Sequence, residues 1–152
     1  MLQLVCIDAS KHSRKAFDWY CDHIHRKGVK VGLVHAHEVP AMPVVGIYDN
    51  GFFLDDSYES SLQESAKESK KLIEDYEKLC KERGIETMVF LRNSQGSPGE
   101  TICNVVRQSK ASMVVIGQRG LGVIRRTLMG SVSDYVLHHS NVPTLVIPSK
   151  KK

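Results

Sequence analysis

The stretch "GQRGLGVIRRTLMGS", from Gly117 to Ser131, holds four glycines and closes on a Gly-Ser pair. It follows Val114-Val115-Ile116, a run that reads as a buried strand, and precedes a segment with helical spacing. Glycines between a strand and a helix allow two readings. In the first, Gly117 lets the chain leave the strand with a backbone angle that other residues resist. Gly120 and Gly122 then leave room for a polyanion to approach the backbone N–H groups. Gly130 and Ser131 sit at a helix start, where the positive end of the dipole and a hydroxyl favour a phosphate. Arg119, Arg125 and Arg126 add positive charge. In the second reading the turn is structural and Gly130-Ser131 is an ordinary cap. The stretch is not a P-loop, because no Gly-Lys-Ser/Thr follows, and its Gly-x-x-Gly-x-Gly order after a late strand is not the dinucleotide fingerprint.

Working outward, strands alternate with helices. Leu2 to Ile7 is a short apolar run ending at Asp8. Ser10 or Ser13 can cap a helix whose Ala16, Phe17, Tyr20 and Ile24 share a face, with Gly28 as its stop. Val29 to His37 predicts a second strand, and Ser57 to Arg83 a long helix with Leu62, Ala66, Ile73, Tyr76 and Cys80 on or near one face, ended by Gly84. Glu86 to Arg92 predicts a third strand. Ser97-Pro98-Gly99-Glu100 is a helix start with serine at the cap, proline at the first helical position and glutamate three residues after the cap. Ile102, Val105 and Val106 then face inward. Met113 to Ile116, Ser131 to His139 and Thr144 to Ile147 predict the last strand, helix and strand. Strands apolar on both faces, alternating with helices, argue for a parallel sheet covered on both sides. Pro40 to Asp56, rich in Pro, Gly and aromatics, reads as a long loop of the kind that serves as a lid or binding loop.

The chain of 152 residues is the size of one domain, here 1–149, with Lys150 to Lys152 as a basic tail that supplies much of the net charge of +4. No basic stripe interleaved with aromatics suggests nucleic-acid binding. No run approaches the length of a membrane span, and the start lacks the pattern of a signal peptide, so the expected location is the cytoplasm. Cys6, Cys21, Cys80 and Cys103 are scattered without a CxxC and are expected in or near the core as small apolar residues.

Open parallel sheets bind ligands beyond the carboxyl ends of their strands, where strand order reverses. Asp8 and the glycine stretch have that address. Asp8 fits two roles: a cap for the turn at Ser10, or an acceptor for a ribose hydroxyl or an adenine amino group. His35 and His37 alternate in the second strand beside Glu38, and with His23, His25, His138 and His139 they raise a metal reading. No third ligand is fixed by spacing, so no metal site is expected; His35 reads as packed and the others as surface residues. No nucleophile elbow, HExxH or Ser-His-Asp set can be recognised.

These residues resemble one family. Gly117-x2-Gly120-x9-Gly130-Ser131 matches the G-2x-G-9x-G-[S/T] signature of ATP-binding universal stress proteins. The resemblance spans nearly the whole chain, through "LVCIDAS", "VGLVHAHE", "GSPGETICNVV" and "SDYVLHHSNVPTLVIP". It departs at "KASMVVIG", which lacks the family's usual acidic residue before strand four. The resemblance implies a Rossmann-like, three-layer α/β/α fold with a five-stranded parallel sheet in the order 3-2-1-4-5. It implies binding of ATP or AMP, with or without Mg2+. Asp8, with Ile7 beside it, would meet the adenosine moiety, and Ala36, with Val34 close by, would face the adenine through its backbone. Ile116, Gly117, Arg119 and Gly120 would line the ribose and phosphates, and Gly130, Ser131, Val132 and Ser133 would meet the phosphates. It also implies a homodimer through the last strand, Pro143 to Pro148. The function implied is a nucleotide-responsive regulatory module in stress response, with at most slow ATP hydrolysis; the alternative is a weak ATPase or adenylate-handling enzyme using the same pocket.

Overall fold

A computed structural model describes residues 1–40, 56–94, 96–118 and 130–148. Nine elements follow one another: β1 (Leu2–Cys6), α1 (Lys11–His23), β2 (Lys30–Glu38), α2 (Asp56–Glu82), β3 (Thr87–Ser94), α3 (Pro98–Ser109), β4 (Met113–Gly117), α4 (Ser131–His139) and β5 (Thr144–Ile147). The five strands form one sheet in the order β3-β2-β1-β4-β5, and every pairing is parallel. This is the expected Rossmann-like arrangement.

Side-chain alternation explains why the central strands are apolar throughout. Val5, Ile7, Val31, Leu33, Val115 and Ile147 pack on one face against Ala16, Phe17 and Tyr20 of α1 and Ile73, Tyr76 and Cys80 of α2. Leu4, Cys6, Val34, Val114 and Ile116 pack on the other against Ile102, Val105 and Val106 of α3 and Val136 of α4. Each central strand therefore buries both of its faces, which a period-two polar alternation would forbid. Cys6, Cys80 and Cys103 are buried and Cys21 is half-buried, all as free thiols. Burial pushes the Cys21 thiol up to about 11 and the Cys80 thiol up to about 12, so both act as apolar filling rather than as nucleophiles.

The helix ends show which local signals decide boundaries. Ser97 accepts the Glu100 N–H at 3.2 Å, with Pro98 opening α3 as expected. Gly84, at φ +68°, ends α2: its N–H bonds Lys81 O while Ile85 N–H reaches back to Cys80 O, and Ile85 joins Cys80 in the core. Gly28 does not end α1. The helix stops at Ile24, where the N–H groups of Ile24 and His25 both bond Tyr20 O, and Gly28, at φ +87°, serves the turn into β2. The buried stripe of α2 also differs from the expected one: Ala66 is exposed, and Ser69 is buried one turn before Ile73.

Candidate functional site

Strand order reverses between β1 and β4, which lie side by side while their chains continue to opposite sides of the sheet. A cavity of about 540 Å³ opens beyond the carboxyl ends of these strands. Among the described residues it is lined by Cys6 to Ser10 and Ser13 after β1, Val34 to Glu38 at the end of β2, and Ser65, Glu68, Ser69 and Leu72 of α2. Pro98, Ile102, Ile116, Gly117 and Gly130 to Ser133 complete the lining. Ten of the expected residues thus meet at one place: Ile7, Asp8, Val34, Ala36, Ile116, Gly117, Gly130, Ser131, Val132 and Ser133. Arg119, Gly120, Gly122, Arg125 and Arg126, the loop of residues 41–55 and the basic tail lie outside the described residues.

Among the described residues, the β4–α4 side offers its backbone. Gly117 is needed for close approach rather than for an unusual dihedral: positive-φ glycines among the described residues are Gly28 and Gly84. A Cβ at Gly117 would stand 2.7 Å from His12 O and 2.9 Å from His12 C, so only a bare backbone lets the first turn of α1 pack against the end of β4. Gly130 differs. It is the N-cap of α4, with an extended backbone (φ −62°, ψ 146°) that any residue adopts. A Cβ there would meet only Ser133 Oγ, at an ordinary 3.6 Å. Packing does not require a glycine at this position. Among the described residues the α4 N-terminus also has no side-chain cap. Ser131, expected as part of the cap, is the first helical residue, and Ser133 Oγ donates to Gly130 O at 2.9 Å. The first-turn N–H groups of Ser131, Val132 and Ser133, which no intrahelical carbonyl can satisfy, stand at the cavity wall with the positive end of the helix.

The turn after β1 joins the two sides. Asp8 Oδ1 accepts the Ser10 N–H at 2.8 Å, and Asp8 N–H donates to Ser13 Oγ at 2.9 Å. Ser13 in turn lies 3.2 Å from Tyr76 OH of α2. Asp8 therefore fills the capping role at the turn and is at the same time a lining residue of the cavity.

The β2–α2 side is built from side chains. His35 Nδ1 lies 3.0 Å from Ile7 O, and its Nε2 lies 3.1 Å from Ser69 Oγ. Ser69 Oγ also lies 2.7 Å from His37 Nδ1. Burial lowers the pKa of His35 below the ordinary 6.5, partly offset by its bond to Ile7 O, with the nearby His37 lowering it further and Asp8 raising it. His37 was expected at the surface; it is half-buried and tied to α2. Ser69 is a residue that the sequence reading misses. Its signal was present: a serine seven residues before Tyr76 and four before Ile73, on the apolar stripe of α2.

Backbone parity adds one more feature. Val34 O accepts the Ile7 N–H at 2.8 Å, whereas Val31 N–H bonds Glu86 O of the β3 side. Even-numbered residues of β2 therefore turn their peptide groups toward β1. Strand β1 stops at Cys6, paired with Val34, so Ala36, the next even residue, turns its peptide groups toward the cavity.

Among the described residues no three or more His, Cys, Asp or Glu side chains gather as a metal site. No helix among them is long and apolar enough to cross a membrane.

Known proteins share this architecture. The chain is 28% identical over 148 residues to the universal stress protein YxiE of Bacillus subtilis, covering 95% of this chain and 96% of that protein. In structure it resembles a universal stress protein family protein from Arabidopsis thaliana crystallised with AMP bound (TM-score 0.71, 22% identity, 99% of this chain and 92% of that one). It also resembles the universal stress protein from Archaeoglobus fulgidus in complex with dAMP (TM-score 0.64, 20% identity, 97% of each chain). At these identities the structural likeness speaks to fold. The profile of the Universal stress protein family matches residues 4–148, and on that match the chain belongs to the universal stress protein family.

Proposed function

We propose that this chain is a cytoplasmic adenine-nucleotide-binding module whose occupancy by ATP or AMP regulates a stress response. The observation that carries the reading is the chemical polarity of the cavity. One wall offers N–H donors and a helix dipole, at an α4 terminus that no side chain among the described residues caps. The opposite side is lined by Glu38 and Glu68 and the Ala36 peptide edge, with Asp8 in the turn between the two. A molecule with an anionic tail and a donor-bearing, flat head fits such a cavity in one orientation only. The volume lies within the range of about 300–1,000 Å³ usual for ligand cavities.

In this reading the phosphates lie on the amides of Ser131, Val132 and Ser133 beside Gly130 and Gly117, with Arg119 and Gly120 following from the glycine signature. Asp8 takes the nucleoside, and the Ala36 peptide edge takes the adenine. Ile7, Val34 and Ile116 supply apolar contact. AMP and dAMP in the two similar proteins support the ligand class. A homodimer through Pro143 to Pro148 follows from β5 standing at the sheet edge beside β4 alone.

Three experiments test the reading. Mass spectrometry of small molecules released from purified, denatured protein is expected to show an adenine nucleotide. Equilibrium dialysis is expected to show ATP and AMP uptake, with phosphate release no greater than stoichiometric; absence of uptake would remove the reading, and sustained turnover would replace the module with an enzyme. Asp8→Ala is expected to weaken adenosine as well as ATP, and an effect on ATP alone would reverse the orientation.

A further inference from the structure

The hydrogen-bond chain on the α2 side has a direction. A carbonyl oxygen only accepts, so His35 Nδ1, 3.0 Å from Ile7 O, carries a hydrogen. In a neutral ring Nε2 is then the acceptor, and Ser69 Oγ, at 3.1 Å, donates to it. Serine has one hydroxyl hydrogen. Having donated it to His35, Ser69 accepts from His37, so Nδ1 of His37, at 2.7 Å, carries the hydrogen. The neutral form of His37 is left with a lone pair on Nε2. Among the described residues that atom has no hydrogen-bond partner, and His37, like Ala36 before it, is a lining residue of the cavity.

We infer that His37 reads the base: locked in one tautomer by Ser69 and His35, its Nε2 presents an acceptor that selects a 6-aminopurine over a 6-oxopurine. The inference rests on the nucleotide reading above and deepens it. Phosphate is not the partner on this side, because Glu38 and Glu68 line it and Asp8 adjoins it, and a neutral acceptor does not attract an anion. An amino group brings a hydrogen to Nε2. An oxo group brings a second lone pair, and to satisfy it the His37 hydrogen would have to move to Nε2. That move strips Ser69 of its donor and breaks a chain spanning β1, β2 and α2. A site organised to bond one substrate group discriminates against an analogue that cannot make the bond. Ser69 and His35 are positioning residues in this scheme.

AMP and IMP differ only at the purine 6-position and its ring tautomer, and make the test direct. Calorimetric titration of the wild-type protein is expected to show AMP binding about tenfold or more tighter than IMP. His37→Phe keeps the ring volume and is expected to weaken AMP about tenfold with little change for IMP, collapsing the preference. Ser69→Ala frees the tautomer and is expected to narrow the preference at least about threefold, chiefly by improving IMP. Long-range proton–nitrogen NMR of the unliganded protein is expected to place the hydrogen on Nδ1 of both rings. A hydrogen on Nε2 of His37, or an AMP-to-IMP ratio unchanged in both variants, overturns the inference while leaving nucleotide binding intact. Failure of the wild type to bind either nucleotide removes the inference together with the nucleotide reading.

Discussion

The two sides of the cavity are made of different material. Among the described residues the β4–α4 side offers backbone: a glycine pressed against the His12 carbonyl, and a helix end with no side-chain cap. The β2–α2 side is a relay of side chains, Ile7 O, His35, Ser69 and His37, with its serine 34 residues from His35 in sequence. A backbone wall responds to added volume. A side-chain wall responds to protons and to the loss of single atoms. The difference assigns separate work to each: binding of charge by fixed dipoles on one side, selection by hydrogen-bond direction on the other.

The largest expected effect breaks the backbone wall from behind. Gly117→Val should destabilise the protein by about 3 kcal/mol or more, because the clash is with the α1 backbone rather than a movable side chain. Urea unfolding measures it, and a loss below about 0.5 kcal/mol would mean that α1 yields freely. Gly130→Ala separates the two glycines. Its Cβ meets only ordinary contact, so stability should hold within about 0.5 kcal/mol while ATP affinity falls about tenfold; unchanged affinity would strip Gly130 of its role toward the phosphates. Ser97→Ala removes a cap at the base of α3, behind Pro98 and Ile102 of the lining. It should cost about 1 kcal/mol in stability and leave the AMP-to-IMP ratio unchanged, since neither wall donates through Ser97.

The smallest effect belongs to the side-chain wall. The folded protein holds His35 below its ordinary pKa of 6.5, chiefly by burial. The unfolded chain therefore binds the proton first, and the folded state's contribution from this residue is complete above that value. It is lost as the pH falls from there toward the lowered folded value. Chemical denaturation from about pH 7 to about pH 5 should show wild type losing more stability than His35→Gln, the difference isolating this ring from the other histidines. Parallel pH profiles would mean that His35 protonates without cost.

The same contrast governs what could be read from the chain beforehand. Glycine spacing is local, so the ends of the stretch, Gly117 and Gly130-Ser131, could be placed at the cavity beforehand, though Gly117 serves packing against His12 instead of an unusual dihedral. Ser97-Pro98-Gly99-Glu100 and Gly84 marked helix ends because caps are set within a few residues. Gly28 misled, since a glycine marks a positive φ without saying whether a helix or the following turn uses it. The α3 terminus carried no visible sign, because Lys110 itself adopts φ 52°. Ser69 was hidden for a different reason. Its meaning depends on α2 lying across the end of β2, a tertiary fact, and a serine on an apolar stripe shows only that some buried partner is required.

The central claim is that one nucleotide lies across both walls, phosphates on α4 and base on β2. Amide chemical shifts of the 15N-labelled protein titrated in parallel with ATP and with adenosine test it most directly. The account predicts that ATP moves the amides of Ser131, Val132 and Ser133 together with those of Ala36 and His37, while adenosine moves the β2 pair and spares the α4 amides. Shifts of the α4 amides with adenosine alone, or ATP shifts that spare both groups, would contradict it.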